Sequence, residues 1–401
     1  MKPLAHLLCL LAFTTAAHAE ALQVFILAGQ SNMQGHAQVR TFPHIGMDPA
    51  TAPMLAAMQN ADGSPTVCER VWISCLGSAD QEQTGKLTTG FGAAGGGPKI
   101  GPEFTFGLYI QHYVPGRILI IKTAWGGKSL NTDFRPPSAG PYVFNDAQLA
   151  KFEKQGKDVT TMKAEKAKQT GAYYRMMLEH VKQVLGDLKR VVPDYDAKDG
   201  YELAGFVWFQ GWNDLVDGDT YPQRDKPDGY AAYSEVMGHF IRDVRKDLSA
   251  PKLPFVIGVL GVGGPVADYL PDQQRYATSH QAFRDAMAAS AKLPEFSRNV
   301  AAVLTEKFWD RELTVLRSKE NALRQAAKKN ATGGKATPAE ERAAFEKLRG
   351  EQLSERERTV LDTGVSNAEY HYLGSAKILG GIGKGMAEAM ADLKHLTKTA
   401  P

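Results

Sequence analysis

Cysteine is scarce in this sequence, and neither sign of charge is in clear excess. Only 3 of the 401 residues are cysteine, which excludes a small fold that depends on a framework of disulfides. Lys and Arg number 47 against 44 Asp and Glu, a formal net charge of +3, whereas a nucleic-acid-binding protein usually has a basic face. Apolar residues make up 43% of the chain and glycine occurs 39 times, which indicates a globular protein with many tight turns.

Long apolar runs are also missing, because after the first 20 residues no stretch of about 18 apolar residues is available to span a membrane. Those first residues, MKPLAHLLCLLAFTTAAHAE, have the pattern of a secretory signal peptide. Lys2 precedes an apolar core at residues 7–12, and a small-x-small site ends at Ala19. The sequence therefore predicts cleavage after Ala19 and a periplasmic or secreted protein. A buried N-terminal helix is the alternative.

Removal of this segment leaves two cysteines, Cys68 and Cys75, which lie seven positions apart. In an oxidising compartment they could close a small loop. We expect a structural disulfide between them, and two buried thiols are the alternative.

Five apolar runs alternate with helical patterns along the chain. The runs are residues 23–28, 117–123, 203–209, 255–260 and 300–305. Helical periodicity is found at residues 104–112, 172–188, 230–248, 279–292 and 373–393. This alternation predicts a three-layer α/β/α sandwich with a central parallel sheet. Ligands of such sheets bind at the carboxyl ends of the strands, so the residues that follow each run are functional candidates.

Residues 311–360 differ in composition from the rest of the chain. Of these fifty residues, twelve are Lys or Arg and eight are Asp or Glu, with a Gly-rich break at 331–338. The pattern predicts two exposed helices inserted into one domain formed by residues 20–310 and 361–398. We interpret these helices as a solvent-exposed insertion without a binding role. The alternative is that they form a surface for a partner or a polysaccharide.

Three short blocks contain residue types suited to nucleophilic catalysis. Ser31, in GQSNM at 29–33, directly follows the first apolar run, which would present its hydroxyl at the sheet edge. Asn213, in GWND at 211–214, follows the third run, and its amide could stabilise an oxyanion. His371, just before the last helix, could take the proton of a serine. Taken singly, these residues are equally suited to helix caps, turns and surface positions.

Together the blocks resemble the SGNH-hydrolase superfamily, and more specifically the sialate O-acetylesterase-like carbohydrate esterases, relatives of the family-6 acetyl xylan esterases. GQSNM is similar to the block that carries the nucleophile, and GWND to the third block. Gly101-Pro102-Glu103 resembles the second block, and TAWGGKSL at 123–130 is also similar to the family. The resemblance covers roughly residues 24–379 without the insertion, and it implies an SGNH, flavodoxin-like fold.

The resemblance implies a role for each matching residue. Ser31 would be the nucleophile and His371 the general base. The oxyanion hole would comprise the Ser31 amide, the Gly101 amide and the side-chain amide of Asn213. Candidate substrate contacts beside these blocks are Gln30, Trp125, Gln210 and Trp212.

One position departs from the superfamily pattern. The Asp that usually stands three residues before the histidine is Ala368 here. Glu369 or Asp362 could supply the acid, or a Ser–His dyad could work with a backbone carbonyl that orients His371.

The resemblance implies an exported serine esterase that removes acetyl groups from a carbohydrate without a cofactor. No metal site is predicted, because the ten histidines form neither an H-x-x-x-H nor an H-E-x-x-H pair. Gly127-Lys128-Ser129 is not part of a phosphate-binding loop, because that motif needs a glycine at position 122, where this sequence has Lys122. The alternatives are a carbohydrate-binding protein that has lost activity and the same chemistry on lipid or thioester substrates. The particular sugar and the oligomeric state are not predicted.

Overall fold

A seven-stranded sheet forms the centre of the protein. The computed structural model describes residues 20–77, 81–330 and 336–398, so the predicted signal peptide lies outside the described residues. The strands are β1 (Leu22–Gly29), β2 (Ala37–Gln38), β3 (Val71–Leu76), β4 (Gln83–Lys86), β5 (Lys99–Ile100), β6 (Ile118–Ala124), β7 (Tyr201–Phe209), β8 (Phe255–Val259) and β9 (Val300–Leu304). The order in the sheet is β4-β3-β6-β1-β7-β8-β9, and β2 pairs with β5 in a separate two-stranded ladder.

All neighbours in the large sheet are parallel except β4, which runs antiparallel to β3 at one edge. The helices are α1 (Ser31–Gln34), α2 (Phe42–Gly46), α3 (Ala52–Met58), α4 (Pro102–Ile110), α5 (Asp146–Lys154), α6 (Val159–Gln169), α7 (Ala172–Gly186), α8 (Trp212–Val216), α9 (Ala231–Asp247), α10 (Ala277–Ala289), α11 (Arg311–Asn330), α12 (Pro338–Gln352), α13 (Glu355–Gly364) and α14 (Ala376–Leu393).

Helices cover both faces of the sheet, as two adjacent residues of β7 demonstrate. Successive strand residues point to opposite faces. A side chain at Gly205 would collide with Met390 of α14 at 2.4 Å. The ring of Phe206 instead contacts Phe240 of α9, with 6.0 Å between the ring centroids. The predicted α/β/α arrangement around a mainly parallel sheet is therefore confirmed.

The five predicted apolar runs correspond to β1, β6, β7, β8 and β9, and they are largely buried. Two strands of the large sheet, β3 and β4, were not predicted. The charged segment contains α11, α12 and most of α13, so it has three helices rather than the two that its composition predicted. These helices bury apolar side chains of their own, among them Leu313, Leu323 and Phe345.

The predicted disulfide is wrong, because Cys68 and Cys75 are both free thiols. Cys68 precedes β3, whereas Cys75 lies near the end of that strand. An extended strand rises about 3.3 Å per residue, and the Cα atoms of a disulfide lie no more than about 7 Å apart. The strand thus separates the two residues too far for a bond. Burial raises the pKa of Cys75 to about 11 and that of Cys68 to about 12, which keeps both thiols protonated.

Within the described residues, no helix is both long enough and apolar enough to cross a membrane.

Candidate active site

The predicted nucleophile Ser31 lies at the carboxyl end of the central strand β1, between the ends of β6 and β7. Gly29 is required just before it, because a side chain there would meet the Phe209 carbonyl oxygen at 2.1 Å. The chain then turns directly into α1, and Ser31 remains 6% exposed. This position, beside two neighbouring strand ends, is where parallel sheets form ligand sites.

Gln30 determines which way the amide of Asn213 points. Gln30 Oε1 accepts the backbone N–H of Gly211 at 3.1 Å, and because an N–H can only donate, the other end of the side chain must be Nε2. That Nε2 donates to Asn213 Oδ1 at 3.0 Å and approaches Ser31 Oγ at 3.4 Å. The Asn213 Nδ2 group is thus left as a donor, the polarity that an oxyanion needs.

Asn367 fixes His371 in a similar way. Asn367 Oδ1 accepts the backbone N–H of Ala368 at 2.7 Å, so the oxygen end of this amide is identified by a group that can only donate. The same oxygen lies 3.1 Å from His371 Nδ1. Nδ1 must therefore carry the proton, and His371 Nε2 has the lone pair that a general base requires.

A second imidazole lies against His371. The ring of His36 stacks on that of His371 with 3.8 Å between centroids and 3° between planes, and Asn367 Nδ2 lies 3.4 Å from His36 Nδ1. Burial, with a contribution from the Lys99 ammonium, lowers the pKa of His371 to about 4. Burial and the neighbouring His371 lower the pKa of His36 to about 3. Both rings are thus neutral at pH 7.

Residues 21–305 match the family model described as "Carbohydrate esterase, sialic acid-specific acetylesterase". The chain belongs to this family of carbohydrate esterases. The matched range contains Ser31 and Asn213 and ends before His371. No curated protein matches the chain.

Two solved structures are similar to parts of this carbohydrate esterase. A protein from Arabidopsis thaliana is 18% identical with a TM-score of 0.37, and the match covers 71% of this chain and 86% of that one. A carbohydrate acetylesterase from Xanthomonas citri is 12% identical with a TM-score of 0.39, and the match covers 72% of this chain and 51% of that one.

Asp214 joins the Asn213 turn of the esterase to the loop that follows β6. Its buried carboxylate accepts the backbone N–H groups of Leu130 at 2.8 Å and Asn131 at 3.1 Å. It also accepts bonds from Gln210 Nε2 at 2.6 Å and the Tyr221 hydroxyl at 3.0 Å. Burial raises the pKa of Asp214 to about 6, although these four donors act in the opposite direction.

The side chains of two predicted substrate contacts are engaged inside the protein. Gln210 is 1% exposed, and its Nε2 also donates to Gln30 Oε1 and to the Lys128 carbonyl. Trp125 is 4% exposed and packs against Phe134 and Tyr173. Both residues therefore support the walls of the site from within.

Neither acid predicted for His371 contacts it. The carboxylate of Asp362 accepts a bond from Arg349 at 2.6 Å and is 62% exposed. The carboxylate of Glu369 accepts a bond from Gln273 at 2.9 Å. Among the described residues, the side-chain partner of His371 Nδ1 is Asn367, which the sequence interpretation missed.

The backbone after His371 brings Asn367 back toward the imidazole. Tyr372 and Leu373 have φ values of 53° and 58°, a region that costs about 1–3 kcal/mol for residues other than glycine. The turn is held because the Tyr372 hydroxyl accepts the Gly261 N–H at 2.8 Å and hydrogen-bonds Thr305 Oγ1 at 2.7 Å. The amides of residues 366 and 367 both donate to the Leu373 carbonyl.

Gly101 is not available as the oxyanion-hole donor that the sequence predicted. Its N–H already donates to Glu103 Oε1 at 2.9 Å, and Gly101 follows the short β5 rather than a strand of the large sheet. Gly126 lies beside the nucleophile, since a side-chain carbon there would be 3.9 Å from Ser31 Cβ. Gly126 follows β6, the strand directly beside β1.

A buried ion pair supports α1 from below. Lys122, on β6, lies 2.7 Å from Glu103 Oε2 with both side chains about fully buried. Its ammonium also donates to the carbonyls of Gln34 and Phe91 at 2.8 Å each. Lys122 thereby ties the end of α1 to β6 and to the helix that carries Glu103.

An open cleft of about 460 Å³ is lined by Trp212 and Tyr370, the residues next to Asn213 and His371 in the chain. The rings of these two residues are 5.6 Å apart. Tyr370 is 42% exposed. Aromatic rings of this kind are suited to stacking on a ligand. Within the described part of the chain, no group of three or more His, Cys, Asp or Glu residues is arranged to hold a metal ion.

Proposed function

We propose that this carbohydrate esterase is an exported enzyme that removes O-acetyl groups from sugars through an acyl-Ser31 intermediate. The observation that carries the proposal is the polarity of the site. Backbone N–H groups orient Gln30 and Asn367, and these in turn leave a donor on Asn213 and a lone pair on His371 Nε2. These are the two polarities that acyl transfer from an ester requires.

In the first half of the reaction, His371 Nε2 takes the Ser31 proton as Oγ bonds to the acetyl carbonyl carbon. The carbonyl oxygen becomes an oxyanion, which the Ser31 N–H, the Asn213 Nδ2 group and the Gly126 N–H would stabilise. The tetrahedral intermediate then breaks its bond to the sugar oxygen, and the imidazolium returns the proton to that oxygen. The products are the free sugar hydroxyl and acetyl-Ser31.

In the second half, His371 removes a proton from water as the water oxygen attacks the acetyl carbon. This intermediate then breaks its bond to Ser31 Oγ, and the imidazolium returns the proton to that oxygen, which restores the hydroxyl and releases the acetyl group as acetate. Among the described residues, no hydrogen bond joins Ser31 Oγ to His371, whose Nε2 has no protein partner. Such contacts commonly tighten only when substrate is bound.

The third member of the proposed triad is Asn367. A carboxamide orients the imidazole but contributes no full charge, as in cysteine proteases that use Cys-His-Asn. Burial lowers the pKa of His371, and among the described residues no carboxylate hydrogen-bonds the ring to oppose this by stabilising the imidazolium.

Acetate release from acetylated xylans, pectins and sialic acids tests the proposal, with Ser31→Ala as the control. We expect release from at least one substrate by the native chain and none by the variant, and a serine-directed phosphonate should label Ser31. The neutral Asn367 also favours a second candidate, a carbohydrate-binding protein without turnover. Sugar binding without labelling or acetate release would establish that candidate and refute the esterase mechanism.

A further inference from the structure

A second cleft shares three lining residues with the cleft beside the proposed active site. This distal cleft has a volume of about 700 Å³ and lies between the 270–276 loop and helix α11. Gln273, Tyr276 and Glu369 line both clefts. The Gln273–Glu369 hydrogen bond therefore lies on the border between the two clefts. Each cleft alone is large enough for a small ligand, whose sites usually measure about 300–1,000 Å³.

Helix α11 presents a stripe of polar side chains to the distal cleft. Thr314, Ser318, Asn321 and Gln325 recur at spacings of three and four residues, which places them on one face of the helix. Within the described residues, no side chain or backbone group hydrogen-bonds the side chains of Ser318, Asn321 or Gln325. Their hydroxyl and amide groups are thus free to bind the hydroxyls of a ligand.

Two aromatic rings stand near this stripe. Trp309 lines the distal cleft, and its indole N–H donates to Thr314 Oγ1 at 2.5 Å, which holds the ring in place. Tyr276 lines both clefts and is 44% exposed. Rings with exposed area and adjacent amide groups form a surface suited to sugar rings, which have apolar faces and polar edges.

The charges that line the distal cleft nearly cancel. Arg317 forms an ion pair with an acidic residue of its own helix. The remaining cations, Arg275 and Lys329, are matched by the carboxylates of Asp272 and Glu369. A polyanionic chain would gain little here, so the chemistry favours uncharged sugars.

We propose that the esterase acts on an oligosaccharide chain, with the acetylated sugar beside Ser31 and further, uncharged sugars bound in the distal cleft against α11. This inference rests on the proposed function. It gives the charged insertion a role, because α11 forms the far wall of the distal cleft.

Calorimetric titration of the full-length Ser31→Ala protein with unacetylated xylo- and gluco-oligosaccharides of one to six sugars tests the binding. We expect affinity to rise with chain length for at least one series. Adding Asn321→Ala and Gln325→Ala should weaken binding of the longest sugar by about tenfold, since two ligand hydrogen bonds are lost. Alanine is well tolerated at these exposed helix positions.

Gln352→Ala is the matched control, because Gln352 is an exposed amide at the end of α12 that lines neither cleft. It should bind like the Ser31→Ala parent. The proposal is overturned if affinity is independent of length, if the Asn321/Gln325 change has no effect, or if only an oligosialic acid binds.

Acetate release separates this inference from the function on which it rests. With otherwise native protein, the Asn321/Gln325 double variant should lose about tenfold in kcat/KM on an acetylated oligosaccharide. It should stay within about twofold of the native protein on an acetylated monosaccharide. Length-dependent binding without any acetate release would refute the esterase mechanism alone, whereas acetate release without a length effect would refute the distal cleft alone.

Discussion

Replacing Asn367 by aspartate should move the acidic limb of the pH profile to higher pH. His371 must be neutral to act as a base, so activity is present above its pKa and is lost as the pH falls through that value. Burial places this pKa at about 4. In the native site the Nδ1–H donates to a neutral amide oxygen at 3.1 Å.

The expected size of the shift follows from this hydrogen bond. A bond to a charged group contributes about 1.5–3 kcal/mol and a neutral one about 0.5–1.5 kcal/mol. The midpoints of these ranges differ by about 1.25 kcal/mol, which corresponds to roughly one pKa unit. The midpoint of kcat/KM should therefore move from near pH 4 in the native protein to near pH 5. Turnover at pH 7 should rise up to about tenfold where proton removal limits the rate.

The site can accept the new carboxylate. One aspartate oxygen can still accept the Ala368 N–H that Asn367 Oδ1 accepts at 2.7 Å. His36 loses the Asn367 donor near its Nδ1, but it can place a proton there instead, because its Nε2 has no partner among the described residues.

The assay is acetate release between pH 3 and 8 on the best substrate of the panel described above. Asn367→Leu, which has no acceptor, should lose at least about tenfold at all pH values. Asp362→Asn is the control, since this exposed carboxylate contacts Arg349 and not His371, and it should match the native profile. If Asn367→Asp leaves the acidic limb in place or moves it to lower pH, Asn367 does not orient His371.

Three further predictions concern the oxyanion hole, a nearby cation and the buried ion pair. Asn213→Ala should lower kcat by ~10²–10³ with little change in KM, because its amide would act on the transition state; an unchanged kcat would exclude Asn213 from the oxyanion hole. Lys99→Met should move the acidic limb of the kcat/KM profile to higher pH, since the Lys99 ammonium lowers the pKa of His371. A movement of this limb to lower pH would contradict the reasoning. Lys122→Met should lower the free energy of unfolding in urea at pH 7 by about 3–5 kcal/mol, because Glu103 is left buried and unpaired. Adding Glu103→Gln should restore most of that loss, and a Lys122→Met protein as stable as the native one would contradict the argument.

The central strands could be predicted from the sequence because they are nearly continuous apolar runs, as β1 and β6 illustrate. Strand β3 is also apolar, but Cys68 before it and Cys75 within it suggested a cross-linked loop instead. Strand β4 (QTGK) is a polar, partly exposed edge strand and has no apolar pattern to detect. Burial against helices determines the inner strands, whereas pairing with a neighbour alone determines β4.

In the site, Ser31 and Asn213 were accessible to sequence reasoning because each directly follows a strand of the large sheet. Asn367 was missed because the family pattern draws attention to position 368. The turn at Tyr372 and Leu373 brings Asn367, which lies four residues before His371, against the imidazole. Sequence periodicity does not reveal the positive φ angles that such a turn needs. The signal in the sequence that could have identified this partner was an Asn just upstream of the histidine.

The structure places the second block away from the large sheet. Gly101 precedes a helix, as expected, but it follows a two-residue strand outside the large sheet. Gly126, in the TAWGGKSL segment that also resembled the family, follows the strand that pairs with β1. Strand order, which sequence alone does not determine, decides which glycine lies beside the nucleophile.

Ser31 follows the first strand, whereas His371 and Asn367 immediately precede the last helix, α14. Helix α14 packs against α4 and also contacts β8 and β9. The hydroxyl and its proposed base can therefore meet only after the chain as far as α14 has left the ribosome and α14 has docked. Contacts between such distant parts of a chain form late in folding. A chain that ends before His371 would hold the proposed nucleophile without its proposed base, and we expect it to be inactive.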